Sequence, residues 1–117
     1  MMDIIERKPV IKMFPKQQLI DWGLPYENPA IFDKDNNIIA EGKIISNKII
    51  DKHRWTLEYE IIFTEPEDNT KVWKTYYTKG STEFQDEKPW YSYEFIKCTL
   101  MQEVEKTIKV WEELLED

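Results

Sequence analysis

The strongest constraint on the fold is a strict alternation of side chains between residues 54 and 64. The apolar set is Trp55, Leu57, Tyr59, Ile61 and Phe63, and it alternates with Arg54, Thr56, Glu58, Glu60 and Ile62. A period of two is typical of a β-strand with one buried face. Residues 65–69 (EPEDN) predict a turn, and residues 71–79, rich in Tyr and Thr, predict the antiparallel return strand. The pattern therefore predicts a long β-hairpin.

Shorter elements are predicted on both sides of this hairpin. Pro15 and Gly23 bound a short helix over residues 15–22, because proline suits the first helical turn and glycine suits the left-handed stop. Residues 1–14 are expected to form an extended arm or an edge strand. Further strands are predicted at 30–33, 38–41, 43–50 and 90–100. The predicted fold class is α+β, a mainly antiparallel twisted sheet of about five strands with one or two short helices.

The C-terminal segment, residues 101–116, carries two competing patterns. Its apolar residues fall near helical spacing: Met101, Val104, Ile108, Trp111, Leu114 and Leu115. Thr107, Ile108 and Val110 nevertheless favour a strand, because β-branched side chains are enriched there. Periodicity alone favours the helix, and both structures stay open at this point.

Length and cysteine content limit the class of protein. The 117 residues are expected to form a single domain. Cys98 is the only cysteine, so no intramolecular disulfide can form and a reducing environment fits best. No apolar stretch approaches the length that spans a bilayer, and the N-terminal residues lack the apolar core of a signal peptide. The expected location is the cytoplasm of the cell, without a membrane partner.

The net charge of −7 is unevenly distributed. Residues 1–54 hold nine Lys and Arg against eight Asp and Glu, whereas residues 55–117 hold seven against fifteen. The acidic half would repel a phosphate backbone, so direct nucleic-acid binding through it is disfavoured. It is either a solvated face or a surface that docks into a basic groove made for nucleic acid.

Catalytic, cofactor and metal sites are not indicated by the residue types. The only histidine, His53, and the only cysteine, Cys98, lie on separate predicted strands and show no nucleophile–base signature. One His and one Cys do not make a usual zinc site, and three glycines cannot build a dinucleotide loop. Basic residues mixed with aromatics at 48–55 and 71–79 leave a nucleic-acid-binding accessory as the alternative.

Aromatic residues give the most specific hypothesis about function. Trp and Tyr are the usual anchors of protein interfaces, and the chain has more of them than a small core needs. The predicted partner-binding aromatics are Trp73, Tyr76, Tyr77 and Trp90. Glu83, Asp86 and Glu87, in the loop that follows, would supply charge toward a basic partner; otherwise they cap a short helical turn.

One loop motif points to a family. Arg54-Trp55 opens the alternating strand, Tyr76-Tyr77 follows, and residues 80–90 read GSTEFQDEKPW; Val104-Glu105-Lys106-Thr107 and Trp111 come near the end. In these features the chain resembles small accessory proteins of temperate phages and prophages of low-GC Gram-positive bacteria. The likeness covers about half of the chain, and it favours a strand at the C-terminus.

The resemblance implies a class of function rather than a chemistry. Phage accessory proteins commonly bind a host component and inhibit or redirect it. An acidic member is similar in character to inhibitors that occupy the nucleic-acid groove of host defence nucleases, including those of CRISPR systems. The expected partner is therefore a host protein with a basic groove. A homo-oligomer is compatible with this expectation, because aromatic surface can be buried against a second copy, and a small homo-oligomeric structural protein is a further alternative.

Overall fold

The computed structural model describes residues 8–81 and 88–116, which form an α+β fold and confirm the predicted class. The elements in chain order are β1 (Ile11–Pro15), α1 (Lys16–Trp22), β2 (Ala30–Phe32), β3 (Ile38–Glu41), β4 (Ile44–Lys52), β5 (Thr56–Thr64), β6 (Val72–Gly80) and β7 (Phe95–Met101). Five strands make one sheet in the order β1-β7-β6-β5-β4, and β2 pairs with β3 in a separate small sheet. Every paired strand is antiparallel.

The predicted hairpin is the central part of the main sheet. β5 and β6 pair along their whole length, from Thr56 opposite Gly80 to Thr64 opposite Val72. One face, here called the inner face, carries the buried side chains of both strands, and the other face carries Glu58, Glu60, Lys74 and Tyr76. The alternation in the sequence therefore matches the two faces of the sheet.

Helix α1 covers the inner face, as its apolar residues predict. Leu19 and Trp22 are buried, and Phe14 at the end of β1 contacts the rings of Trp22 and Trp73 edge-on, at 5.8 and 5.3 Å between centroids. Gly23 ends the helix with φ at 106°, which only glycine adopts without strain. The helix has seven residues and depends on this packing, because so short a helix is marginal alone.

Gly42 is required by a close approach between two parts of the chain. It lies between β3 and β4, and its N–H donates to the Pro29 carbonyl oxygen at 2.7 Å. A Cβ at this position would collide with the carbonyl oxygen and the hydroxyl of Thr64. That hydroxyl accepts from the N–H of Lys43 at 2.7 Å, so the contact cannot open without losing a hydrogen bond.

Two predictions about the last third of the chain were wrong. Residues 90–94 do not belong to the final strand, which begins at Phe95; they form turns. Residues 102–116 form neither the helix favoured by periodicity nor the strand favoured by the resemblance, and their side chains are exposed. The apolar stripe finds no surface to pack against in this structure, and an isolated short helix is not stable without one.

Candidate functional site

The structure places most of the predicted aromatic anchors in the core. Trp73, Tyr77 and Trp90 are 4–5% exposed and pack with the inner-face residues, so almost none of their surface is available to a partner. Tyr76 is 44% exposed on the opposite face. The acidic residues Glu83, Asp86 and Glu87 lie outside the described residues. Of the four predicted aromatic anchors, Tyr76 is therefore the one whose side chain a partner can reach.

Trp90 is buried where the main sheet opens. Ladder pairing between β6 and β7 covers Val72 to Lys74 and then stops. Beyond that point the Trp90 indole N–H donates to the Tyr76 carbonyl oxygen at 2.9 Å, and the Thr75 hydroxyl donates to the Lys97 carbonyl oxygen at 2.8 Å. Side chains therefore satisfy backbone groups that a continuous ladder would have paired.

An unusual backbone conformation holds Trp90 in this place. The Tyr91 N–H donates to the Lys88 carbonyl oxygen at 3.1 Å, which closes a turn with Pro89 and Trp90 at its centre. Trp90 has φ at 58°, a region that bulky residues rarely adopt. Its ring contacts Tyr77 edge-on at 5.8 Å. Packing and the hydrogen bond to Tyr76 together compensate for the local strain.

A groove runs along the outer face of the sheet beside this opening. It has a volume of about 750 Å³ and is lined by β1, β6, β7 and the turn residues 90–93. The exposed apolar side chains on it are Ile11, Met13, Tyr76, Tyr91, Tyr93 and Phe95. We call this surface the outer-face groove. Its charged residues, Glu58, Lys74 and Lys97, are few, so the surface is mainly apolar and aromatic.

A second cluster lies at the hairpin between β4 and β5. Asp51 and Glu58 are opposite each other in the ladder, and the His53 Nε2 lies 3.6 Å from a carboxylate oxygen of each. One imidazole and two carboxylates are ligand types that Zn²⁺ accepts. The three residues are also explained as an ordinary polar cluster on the surface, because Asp51 and His53 are exposed. The sequence analysis missed this cluster, because only the strand register brings Glu58 to the other two.

Cys98 has the environment of a structural thiol. It is fully buried on β7, and burial raises its pKa to about 12, against the weaker opposing effect of the Thr75 hydroxyl. The thiolate is the reactive form of cysteine, so this thiol stays unreactive near neutral pH. His53 lies in the loop that joins β4 to β5, and β6 lies between this hairpin and β7. The structure does not bring the two residues together.

Comparison with known proteins found no match to this chain. No family model matches the chain, and no curated protein or solved structure is significantly similar to it. Within residues 8–81 and 88–116, no helix is long and apolar enough to cross a membrane.

Proposed function

We propose that this chain is a phage accessory protein that acts in the host cytoplasm, where it binds a host protein and inhibits or redirects it. The observation that carries the binding role is the outer-face groove, an open aromatic surface on the main sheet. Exposed apolar patches of this kind mark interaction sites in small domains. The phage assignment rests on the sequence resemblance at residues 54–55, 76–77 and 80–90.

The chemistry of the groove fits a protein partner better than a small polar substrate. Tyr76, Tyr91 and Tyr93 each combine an apolar ring with a hydroxyl, which suits contacts that exclude water and still donate hydrogen bonds. Ile11 and Met13 on the neighbouring edge strand extend the apolar surface. Interface energy concentrates in a few such aromatic residues. Tyr93 and Phe95, at 61% and 53% exposure, are the side chains we expect to contribute most.

The charge of the chain favours a basic partner. Residues 55–117 carry seven Lys against fifteen Asp and Glu, and this field would attract a positively charged surface. A defence nuclease that binds DNA or RNA presents such a surface in its nucleic-acid groove. We therefore propose this class of partner. Electrostatic attraction of this kind accelerates association and weakens as salt is added.

The test is an affinity capture of the tagged full chain from a nuclease-treated lysate of a low-GC Gram-positive host, at low and high salt. The variants are Tyr93→Ala, in the outer-face groove, and Ile38→Ala, an exposed apolar control on the small sheet. We expect one host protein to be retained by the wild type and by Ile38→Ala and to be lost with Tyr93→Ala. Equal retention by both variants would contradict the assignment of the groove.

Nucleic-acid binding is the second candidate, and a specific observation favours it. The Arg54 guanidinium lies 4.8 Å from the centre of the Trp55 ring, and Trp55 is 55% exposed beside the loop that joins β4 to β5. Such a pair can stack on a base. A gel shift at low salt with single-stranded DNA and RNA separates the candidates, because Trp55→Ala would abolish a shift of this origin. The absence of any shift favours the protein-binding role.

A further inference from the structure

The C-terminal segment, residues 102–116, exposes more apolar surface than any other described part of the chain. Its large apolar residues range from 56% exposed to fully exposed: Val104, Ile108, Val110, Trp111, Leu114 and Leu115. A continuous apolar set of this size in water is unfavourable and marks a surface that a partner covers. We propose that residues 104–111 pair as an added strand with β4 of a second copy of this chain, reciprocally, in a twofold dimer.

The receiving strand is an open edge of the main sheet. β4 pairs with β5 on one side only, and it stands last in the strand order. It has nine residues, and Ile45, Ile49 and Ile50 are 43–57% exposed. The Ile44 N–H donates to the Asn28 Oδ1 at 2.8 Å, and the edge beyond it, with its exposed apolar side chains, is a template for another strand. Strand addition would satisfy the backbone groups of this edge and cover the three isoleucines.

The sequence of the segment suits a strand once an edge is available. Residues 107–111 (TIKVW) are strong strand formers apart from one lysine, and Val104, Ile108 and Val110 share one face at a period of two. Eight residues in a strand span roughly 27 Å, close to the roughly 30 Å of a nine-residue strand. Residues 104–111 can therefore pair along most of β4.

Opposite charges point to this pairing. Residues 104–111 themselves hold one Glu and two Lys, but the four Glu at 103, 112, 113 and 116 bring residues 102–116 to a net charge of −3. Residues 43–54 hold three Lys, one Arg and one Asp, a net charge of +3. The acidic residues therefore flank the proposed strand and would lie near the ends of β4. Lys43 and Lys52 are exposed at the two ends of the strand. Complementary charges across adjacent strands stabilise their pairing and select the partner.

The position at which residues 102–116 leave β7 favours pairing with β4 of a second copy over pairing with β4 of the same chain. β7 lies between β1 and β6, and the segment leaves it after Met101, opposite Val72. The chain's own β4 edge lies beyond β6 and β5, on the far side of the sheet. Exchange between two copies needs no crossing of the sheet, and a twofold axis makes both exchanges identical and closes the assembly.

The test is sedimentation velocity of the full chain over a wide concentration range. We expect a dimer, and we expect Trp111→Asp to raise its dissociation constant at least about tenfold. Ile38→Asp is the matched control, because it places the same charge at another exposed apolar side chain, 54% exposed, on the small sheet and outside the groove. A monomeric wild type, or a dimer that is insensitive to Trp111→Asp, would overturn the proposal.

A charge exchange tests the pairing itself. One variant carries Lys43→Glu and Lys52→Glu, and the other carries Glu105→Lys and Glu112→Lys. Each alone should dimerise weakly, because its segment and its β4 then carry like charges. A mixture of the two should form a heterodimer, in which both exchanges join opposite charges. A mixture that stays as weak as its components would refute pairing between the segment and β4.

Discussion

Replacing Trp90 with phenylalanine tests whether the indole hydrogen bond stabilises the main sheet where the ladder between β6 and β7 ends. Trp90→Phe keeps a ring beside Tyr77 but removes the N–H that donates to the Tyr76 carbonyl oxygen at 2.9 Å. That carbonyl then loses its partner in a region where the ladder between β6 and β7 has ended. The bond is partly buried, so the acceptor left without its partner costs about 1–2 kcal/mol, and the smaller ring leaves space that adds to the loss.

Trp73 provides a matched control for this substitution. It is as buried as Trp90, at 4% exposure, but its indole nitrogen has no hydrogen-bond partner among the described residues. Trp73→Phe therefore removes the same ring atoms without breaking a hydrogen bond. Trp73→Phe also removes a buried N–H that has no partner, so the difference between the two variants combines the Trp90 hydrogen bond with the relief of that unpaired group. We expect Trp90→Phe to lose about 1–2 kcal/mol more free energy of unfolding than Trp73→Phe.

Chemical denaturation measures both variants. Equilibrium unfolding in urea, followed by far-UV circular dichroism, gives the free energies if the slope with denaturant stays unchanged. For a chain of this length, 1 kcal/mol corresponds to roughly 4 °C in Tm, so the expected difference is about 4–8 °C. Equal losses in the two variants would show that the Trp90 N–H does not hold the strands together and would refute the reasoning.

Three further predictions concern the core. Gly42→Ala should lower stability by about 2 kcal/mol or more in urea unfolding, because its Cβ collides with the Thr64 backbone. Tyr77→Phe should cost about 1 kcal/mol in the same assay, since the hydroxyl donates to the Asn47 Oδ1 at 2.7 Å. The raised pKa of Cys98, from 9.0 to about 12, makes the folded state prefer the protonated thiol. Stability should therefore fall as pH rises from about 9 toward 12, and Cys98→Ala should flatten that part of the pH profile.

The central hairpin, helix α1 and the small sheet were predictable because their signals are local. Alternation over residues 54–64 set the faces of β5, and Gly23 set the end of the helix. The alternation also places Trp73 and Tyr77 on one face of β6, with Thr75 between them. The count of aromatics suggested exposed anchors, yet Tyr77 stacks on Tyr59 at 4.8 Å in the core. Pairing the two strand faces would have predicted burial of both side chains.

The remaining features depend on distant contacts. Trp90, Tyr91 and Tyr93 are strand formers, but the turn at Trp90 is fixed by its bond to Tyr76, fourteen residues earlier. The cluster of Asp51, His53 and Glu58 required the register of β4 on β5. The groove depends on where β6 and β7 separate. A local sequence pattern does not show which distant residues come into contact. The turn at Trp90, the cluster around His53 and the groove could therefore not be predicted from the sequence.

The position of β1 has a consequence for the order of folding during synthesis. β4, β5 and β6 follow one another and pair as neighbours, so this meander can form as soon as residue 80 is available. β1 instead pairs with β7, with Ile11 opposite Thr99. Contacts so distant in sequence form late, because a long loop must close first. A nascent chain that ends before Phe95 can therefore already have formed the β4–β6 meander. Phe14, which is fully buried in the finished core, still lacks β7 beside it at that stage.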